Sequence, residues 1–125
     1  MPVGASTFWN QPGSCIPRTD EQYLEDILSA AALIQTYLEG WSEDEFAEDV
    51  KTQDAVMRRL LVIGEAARQG SEALRNNFPD VPWADVIGMR NIVTHEYHVV
   101  SIARVWETAV VDVPELVRLL AREAP

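Results

Sequence analysis

The sequence predicts an all-α protein: an antiparallel four-helix bundle with short additional helices. Three observations predict it. Apolar residues recur at spacings of three and four through most of the chain, and no stretch alternates as a strand would. Polar start signals precede these stretches: Thr19 with Gln22, Ser42 with Glu45, and Asp112 with Glu115. Glycines and prolines follow them, at Gly40, Gly70, Pro79 and Pro82.

In chain order, residues 1–17 hold three prolines and two glycines among small polar residues, and are expected to form a flexible N-terminal arm. Phe8 and Trp9 are its only large aromatic groups that could dock on the domain. Residues 18–125 are expected to form one helical domain, long enough to bury a core without staples. Its first helix begins at Thr19, with Asp20 and Glu21 at the positive end of the dipole. Leu24, Ile27, Leu28, Ala31, Ile34 and Leu38 make its expected buried stripe, and Gly40 supplies the left-handed stop. A short acidic helix capped by Ser42 then carries Phe46 to the core.

A long helix is expected from about Asp49 to Gln69, with Val56, Leu60, Ile63 and Ala67 as its seam. Gly64, Ala66 and Ala67 remove bulk and let another backbone approach closely. Glu65, the one acid in that small-residue patch, is expected to pair with an arginine such as Arg68, with a place at the edge of a site as the other reading. Gly70 ends the helix, Ser71 caps a short one reaching Asn77, and Trp83 anchors the next. Finally, 101–111 and 112–122 read as two helical pieces, the second starting at Asp112 with Pro114 in its first turn. Their core candidates are Ile102, Val105, Trp106, Ala109, Leu116, Val117 and Leu120.

Apolar residues make up 47% of the chain, an ordinary globular value. The single cysteine, Cys15, excludes an internal disulfide framework. The first residues lack the basic and apolar regions of a secretory signal, and no run approaches the ~20 apolar residues that span a bilayer. A cytoplasmic protein without membrane contact is expected. Twenty acids against ten bases give a net charge of −10, which argues against a generic nucleic-acid coat. The charge is uneven, however. Residues 19–50 contain ten acids and no base, whereas residues 51–78 contain Lys51, Arg58, Arg59, Arg68 and Arg75 against three acids. If RNA binds, Arg58, Arg59, Arg68, Arg75 and Arg90 are where its phosphates would go; the other reading pairs these arginines with the acidic first segment.

The chemistry concentrates at residues 89–98, Met-Arg-Asn-Ile-Val-Thr-His-Glu-Tyr-His. Arg90 is a permanent cation suited to phosphate oxygens. His95 can exchange a proton near neutral pH, and Asn91 can orient a neighbour through its amide. At about 100° per residue, Asn91, His95 and His98 share one helical stripe, and Arg90, Thr94 and Tyr97 the adjacent one. A capped helix end with a structural histidine is the plain alternative. His98 is read as a surface or interface residue.

Arg90-Asn91-x-x-x-His95-x-Tyr97 resembles the RNxxxHxY motif of the HepT-like toxins, in the HEPN superfamily of helical ribonucleases. The likeness extends, in order, over Tyr23 to Ile27, Phe46, Gln53 to Val56, Ile63 to Ala67, Pro82-Trp83, Ile87 to Met89 and Val105 to Glu107. It runs from about Arg18 to about Leu120; the first seventeen residues have no counterpart.

Two histidines without clustered acids do not make a metal set, and neither a phosphate-cradling glycine loop nor a nucleophile elbow is present. No cofactor is expected. Metal-independent RNA cleavage fits what remains: His95 as acid or base, Arg90 stabilising charge on the phosphorane-like transition state, Asn91 orienting. One such set per chain is thin for a reaction needing a base, an acid and charge stabilisation. A homodimer with both motifs at one cleft, as the resemblance implies, doubles the inventory. The resemblance further implies a type VII-like toxin–antitoxin module, with an MNT-type nucleotidyltransferase antitoxin that transfers AMP onto Tyr97. The alternative function is a non-catalytic helical subunit that presents nucleotide or substrate to a nucleotidyltransferase. A purely structural bundle would leave the polar motif unexplained.

Overall fold

A computed structural model describes residues 18–94 and 101–123. Its helices are α1 (Asp20–Leu38), α2 (Glu43–Ala47), α3 (Val50–Gln69), α4 (Glu72–Asn77), α5 (Trp83–Thr94), α6 (Ile102–Glu107) and α7 (Val113–Glu123). A wider π turn, Thr108–Asp112, joins α6 to α7. The bundle therefore has four long members, α1, α3, α5 and the α6–α7 run, with α2 and α4 as the short additions. No strand occurs among the described residues. The N-terminal arm, with Phe8, Trp9 and Cys15, lies outside them.

The expected caps form. Thr19 accepts the Gln22 N–H at 3.2 Å while the Gln22 side chain accepts the Thr19 N–H at 2.9 Å. Ser42 and Glu45 make the same reciprocal pair. Each satisfies donors that the first helical turn would leave orphaned. Gly40 takes φ +79°, the left-handed conformation that ends α1. Asp49 caps α3 and Ser71 caps α4.

Ile27, Ile34, Phe46, Val56, Leu60, Ile63 and Val105 are fully enclosed at the centre. Burying each such side chain stabilises the fold by roughly 1.5–3 kcal/mol. Phe46 reaches across from α2 to the Trp106 ring, with centroids 5.4 Å apart. The buried Gln53 amide donates to the carbonyls of Phe46 at 2.8 Å and Ala47 at 3.1 Å, so α3 satisfies the exposed end of α2. At the other end of the bundle, Asp20 accepts both the backbone N–H and the hydroxyl of Ser71, tying the start of α1 to the start of α4.

Two expectations need correction. Leu28 is 37% exposed and is not part of the core stripe, and Leu24 is only partly buried. Ile27, Ala31, Ile34 and Leu38 set the centre of that stripe, and Leu28 lies about 90° around the helix from it. Ala30, on the other flank, is buried in its place. The second correction is at the C-terminal end, where no helix starts at Asp112. The chain runs on through the π turn, in which the Val113 N–H donates to the Thr108 carbonyl five residues back. Pro114 has no N–H to offer and its ring crowds the carbonyl one turn earlier; the wider turn relieves both. This continuation also buries Val113 and Leu119, which the sequence reading left out.

Candidate active site

The site is built where α5 crosses α3. Trp83 anchors the start of α5 by donating its indole N–H to the Phe78 carbonyl at 3.0 Å, and Val86 and Met89 bury one face. The opposing surface of α3 presents Gly64. A Cβ there would lie 2.7 Å from the backbone nitrogen of Arg90, 2.9 Å from its Cβ and 3.1 Å from the Ile87 carbonyl oxygen. Only a residue without a side chain admits this approach. The close contact fixes the height and depth at which Arg90 leaves its helix.

Glu65, next in sequence, holds what Gly64 admits. The Arg90 Nε donates to Glu65 Oε2 at 2.7 Å, and the Arg68 Nε donates to Glu65 Oε1 at 3.2 Å. The Arg90 side chain stays 30% exposed, so its guanidinium is oriented without being sealed off. Burial pushes the Glu65 carboxyl up, but hydrogen bonds and charge from Arg90 and Arg68 together outweigh it and hold the group below the usual glutamate range. Glu65 is thus a stable anion between two cations. The reading from sequence supplied its bond to Arg68; its bond to Arg90, from 25 residues away, was signalled only by the small-residue patch beside it.

The other arginines divide. Arg58 is exposed on α3 seven residues before Glu65, hence on nearly the same helical face and roughly 10 Å along the axis. Arg59 points to a different side and is partly covered. Arg75 donates to the carbonyls of Ala67 and Arg68 at 3.3 Å each, closing the end of α3. The structure therefore gathers Arg68 and Arg90 around Glu65, sets Arg58 on the same face, and gives Arg75 a helix end to cap. Asn91 is exposed on α5 beside Arg90. His95, Tyr97 and His98 lie outside the described residues; α5 ends at Thr94, one residue before His95. Among the described residues no group of three or more His, Cys, Asp or Glu is arranged to hold a metal ion. Among them, too, no helix is long and apolar enough to cross a membrane.

This arrangement offers an oriented cation, an adjacent amide and an open face, at the base of the segment that carries the histidine. The family described as ribonuclease HepT-like matches residues 27–123. The chain is 35% identical to the probable ribonuclease HepT of Thermococcus cleftensis over 99 residues, 79% of this chain and 90% of that protein. It is 33% identical to the candidate RNase MJ1380 of Methanocaldococcus jannaschii, covering 79% of this chain and 91% of that one. With the candidate RNase TTE0752 of Caldanaerobacter subterraneus it shares 34% over 79% of its own length and 88% of the relative's. No solved structure matches the chain.

Proposed function

The chain belongs to the ribonuclease HepT-like family, and on that premise we propose that it is a toxin endoribonuclease that cleaves cellular RNA without a metal ion. The observation that carries this reading is the oriented Arg90. Its Nε is held by Glu65 at 2.7 Å and the side chain stays 30% exposed, which suits a guanidinium that meets phosphodiester oxygens.

In the proposed reaction the 2′-hydroxyl of one nucleotide attacks its own 3′-phosphorus. His95 removes the proton from that hydroxyl, and Arg90 neutralises the negative charge that builds on the phosphoryl oxygens. The bond to the 5′-oxygen of the next nucleotide breaks, and that oxygen receives a proton as it leaves. The products are a 2′,3′-cyclic phosphate and a free 5′-hydroxyl. Asn91 orients His95 or the phosphate. A second His95, from a two-fold related copy, serves as the acid while the first serves as the base, so the working unit is a homodimer with one shared cleft. Arg58 and Arg68 extend the cationic track along α3 for flanking phosphates, with Arg59 and Arg75 as further contacts.

Control of the toxin is proposed to come from an MNT-type nucleotidyltransferase antitoxin that transfers AMP to Tyr97. The added phosphate is an anion beside Arg90 and His95, so it occupies the phosphate site and repels RNA. The net charge of −10 favours a second reading, a non-catalytic subunit presenting nucleotide to that transferase. Induced expression in a bacterial host separates the two. Growth arrest with loss of intact RNA for the wild type, and neither for His95→Ala, is the outcome expected of the ribonuclease. Normal growth with soluble, unmodified wild-type protein would favour the binding subunit.

A further inference from the structure

A groove of about 690 Å³ lies between α1 and the α6–α7 run. Ala31, Ala32 and Gln35 line it from α1, Val110 from the π turn, and Val113 and Val117 from α7. The alanines leave that flank of α1 without bulk, and among the lining residues only Glu39 is charged. Val110 stays 37% exposed at its edge. A shallow track leads into the groove from the start of α1. Leu24, Leu28 and Ala32 follow one another along it at four-residue spacing, and Ala32 belongs to both track and groove. Leu28, displaced from the core stripe, is 37% exposed there. Apolar groups thus make a continuous path along one flank of α1, and no side chain among the described residues covers it.

Residues 1–17 join the domain where that path begins. They contain no Asp, Glu, Lys or Arg, so they meet no charge repulsion from a chain of net charge −10. Their large aromatic groups, Phe8 and Trp9, are adjacent. Trp9 precedes Arg18 by nine residues, and nine residues of extended chain reach about 30 Å. Gln35, inside the groove, lies roughly 24 Å along the axis from Thr19 at 1.5 Å per residue. The arm is therefore long enough to bring both rings to the groove. The volume suits them too, since pockets of roughly 300–1,000 Å³ take groups of drug size.

We propose that residues 1–17 lie back along α1 and seat Phe8 and Trp9 in this groove. Seating them removes apolar area from water on both partners, the arm's rings and the flank formed by Leu24, Leu28 and Val110. A buried indole N–H needs an acceptor, and Gln35 and Glu39 supply candidates at the rim. Docked in this way, the arm straps α1 to the α6–α7 run. The contact stands apart from the catalytic reading and does not require that the chain cleave RNA.

The test places a nitroxide on the full chain at Ser6→Cys, with Cys15→Ser removing the natural thiol, and reads broadening of backbone amide signals by NMR. The docked arm should broaden Gln35, Val113 and Val117. Val110→Glu, a charge set into the groove, should abolish that broadening. So should Phe8→Ser with Trp9→Ser, which leaves the helical domain unaltered and serves if Val110→Glu does not fold. Leu33→Glu, the same charge change on the opposite flank of α1, should leave the pattern as it is. Broadening confined to the first turns of α1 would overturn the proposal and leave the groove to another partner. Broadening that survives in the Phe8 and Trp9 double variant would overturn it as well. So would broadening of Gln35 and Val117 seen only when nitroxide-bearing chains are mixed with isotope-labelled ones, because the occupant would then be a second copy's arm.

Discussion

Glu65 is the residue on which the account of the site turns. It is partly exposed, so its two ion pairs contribute little to stability, about 0.2–1 kcal/mol each. Its role is to orient Arg90. Glu65→Ala is therefore expected to lower kcat for RNA cleavage by about 10- to 100-fold with a smaller change in KM. A loss confined to KM would show that Arg90 needs no such support. The pH dependence follows from the same pair. The folded-state pKa of Glu65 lies below the ordinary 4.5, so its contribution to stability is full above that value and is lost as pH falls through the lowered one. Thermal unfolding of wild type and Glu65→Gln, followed from neutral pH downward, should show the wild-type advantage shrinking below pH ~4.5. Residue identity was legible here but the pairing was only half so, because a contact between positions 65 and 90 depends on how α3 and α5 cross.

At the scale of elements, the two glycines facing α5's surroundings make opposite predictions. Gly64→Ala places a methyl group against the backbone of Arg90, which cannot swing aside as a flexible side chain can. It should destabilise the fold by about 1–3 kcal/mol and displace Arg90, lowering activity as well. Gly88→Ala meets open space and should stabilise the helix by roughly 0.5–1 kcal/mol. Denaturant midpoints for the pair measure both signs at once. Helix starts and stops were legible because caps are local: Thr19 with Gln22, Ser42 with Glu45, and Gly40 each act within one turn. The rotation of α1 and the π turn were not. Leu28 and Ala30 trade places according to where α3 and the α6–α7 run press on α1, and Pro114 reads as a helix start until the turn before it widens.

For the whole molecule, the core joins α2 to the bundle through Phe46, and the Gln53 amide secures the end of the same short helix. Phe46→Ala should cost about 3–5 kcal/mol, enough to unfold a marginal domain, as a urea titration would show. The capping box of Ser42 and Glu45, opening a short acidic helix with one large apolar residue, made Phe46 predictable; Gln53, a polar residue in a buried position, could be understood only once the carbonyls it satisfies were in view. The charge distribution was legible in outline, with an acidic α1–α2 region and a basic α3. How those arginines are used was not. Arg75 closes a helix end and Arg68 braces Glu65, contacts that depend on three-dimensional placement.

The central claim is that Arg90, oriented by Glu65, works with His95 to cleave RNA without a metal ion. Its most direct test is incubation of the purified, unmodified chain with RNA in excess EDTA, with Arg90→Ala and His95→Ala beside it and all three confirmed as folded dimers. The account predicts fragments ending in 2′,3′-cyclic phosphate from the wild type and none from either variant. Cleavage by Arg90→Ala at the wild-type rate, or wild-type cleavage that stops in EDTA, would contradict it.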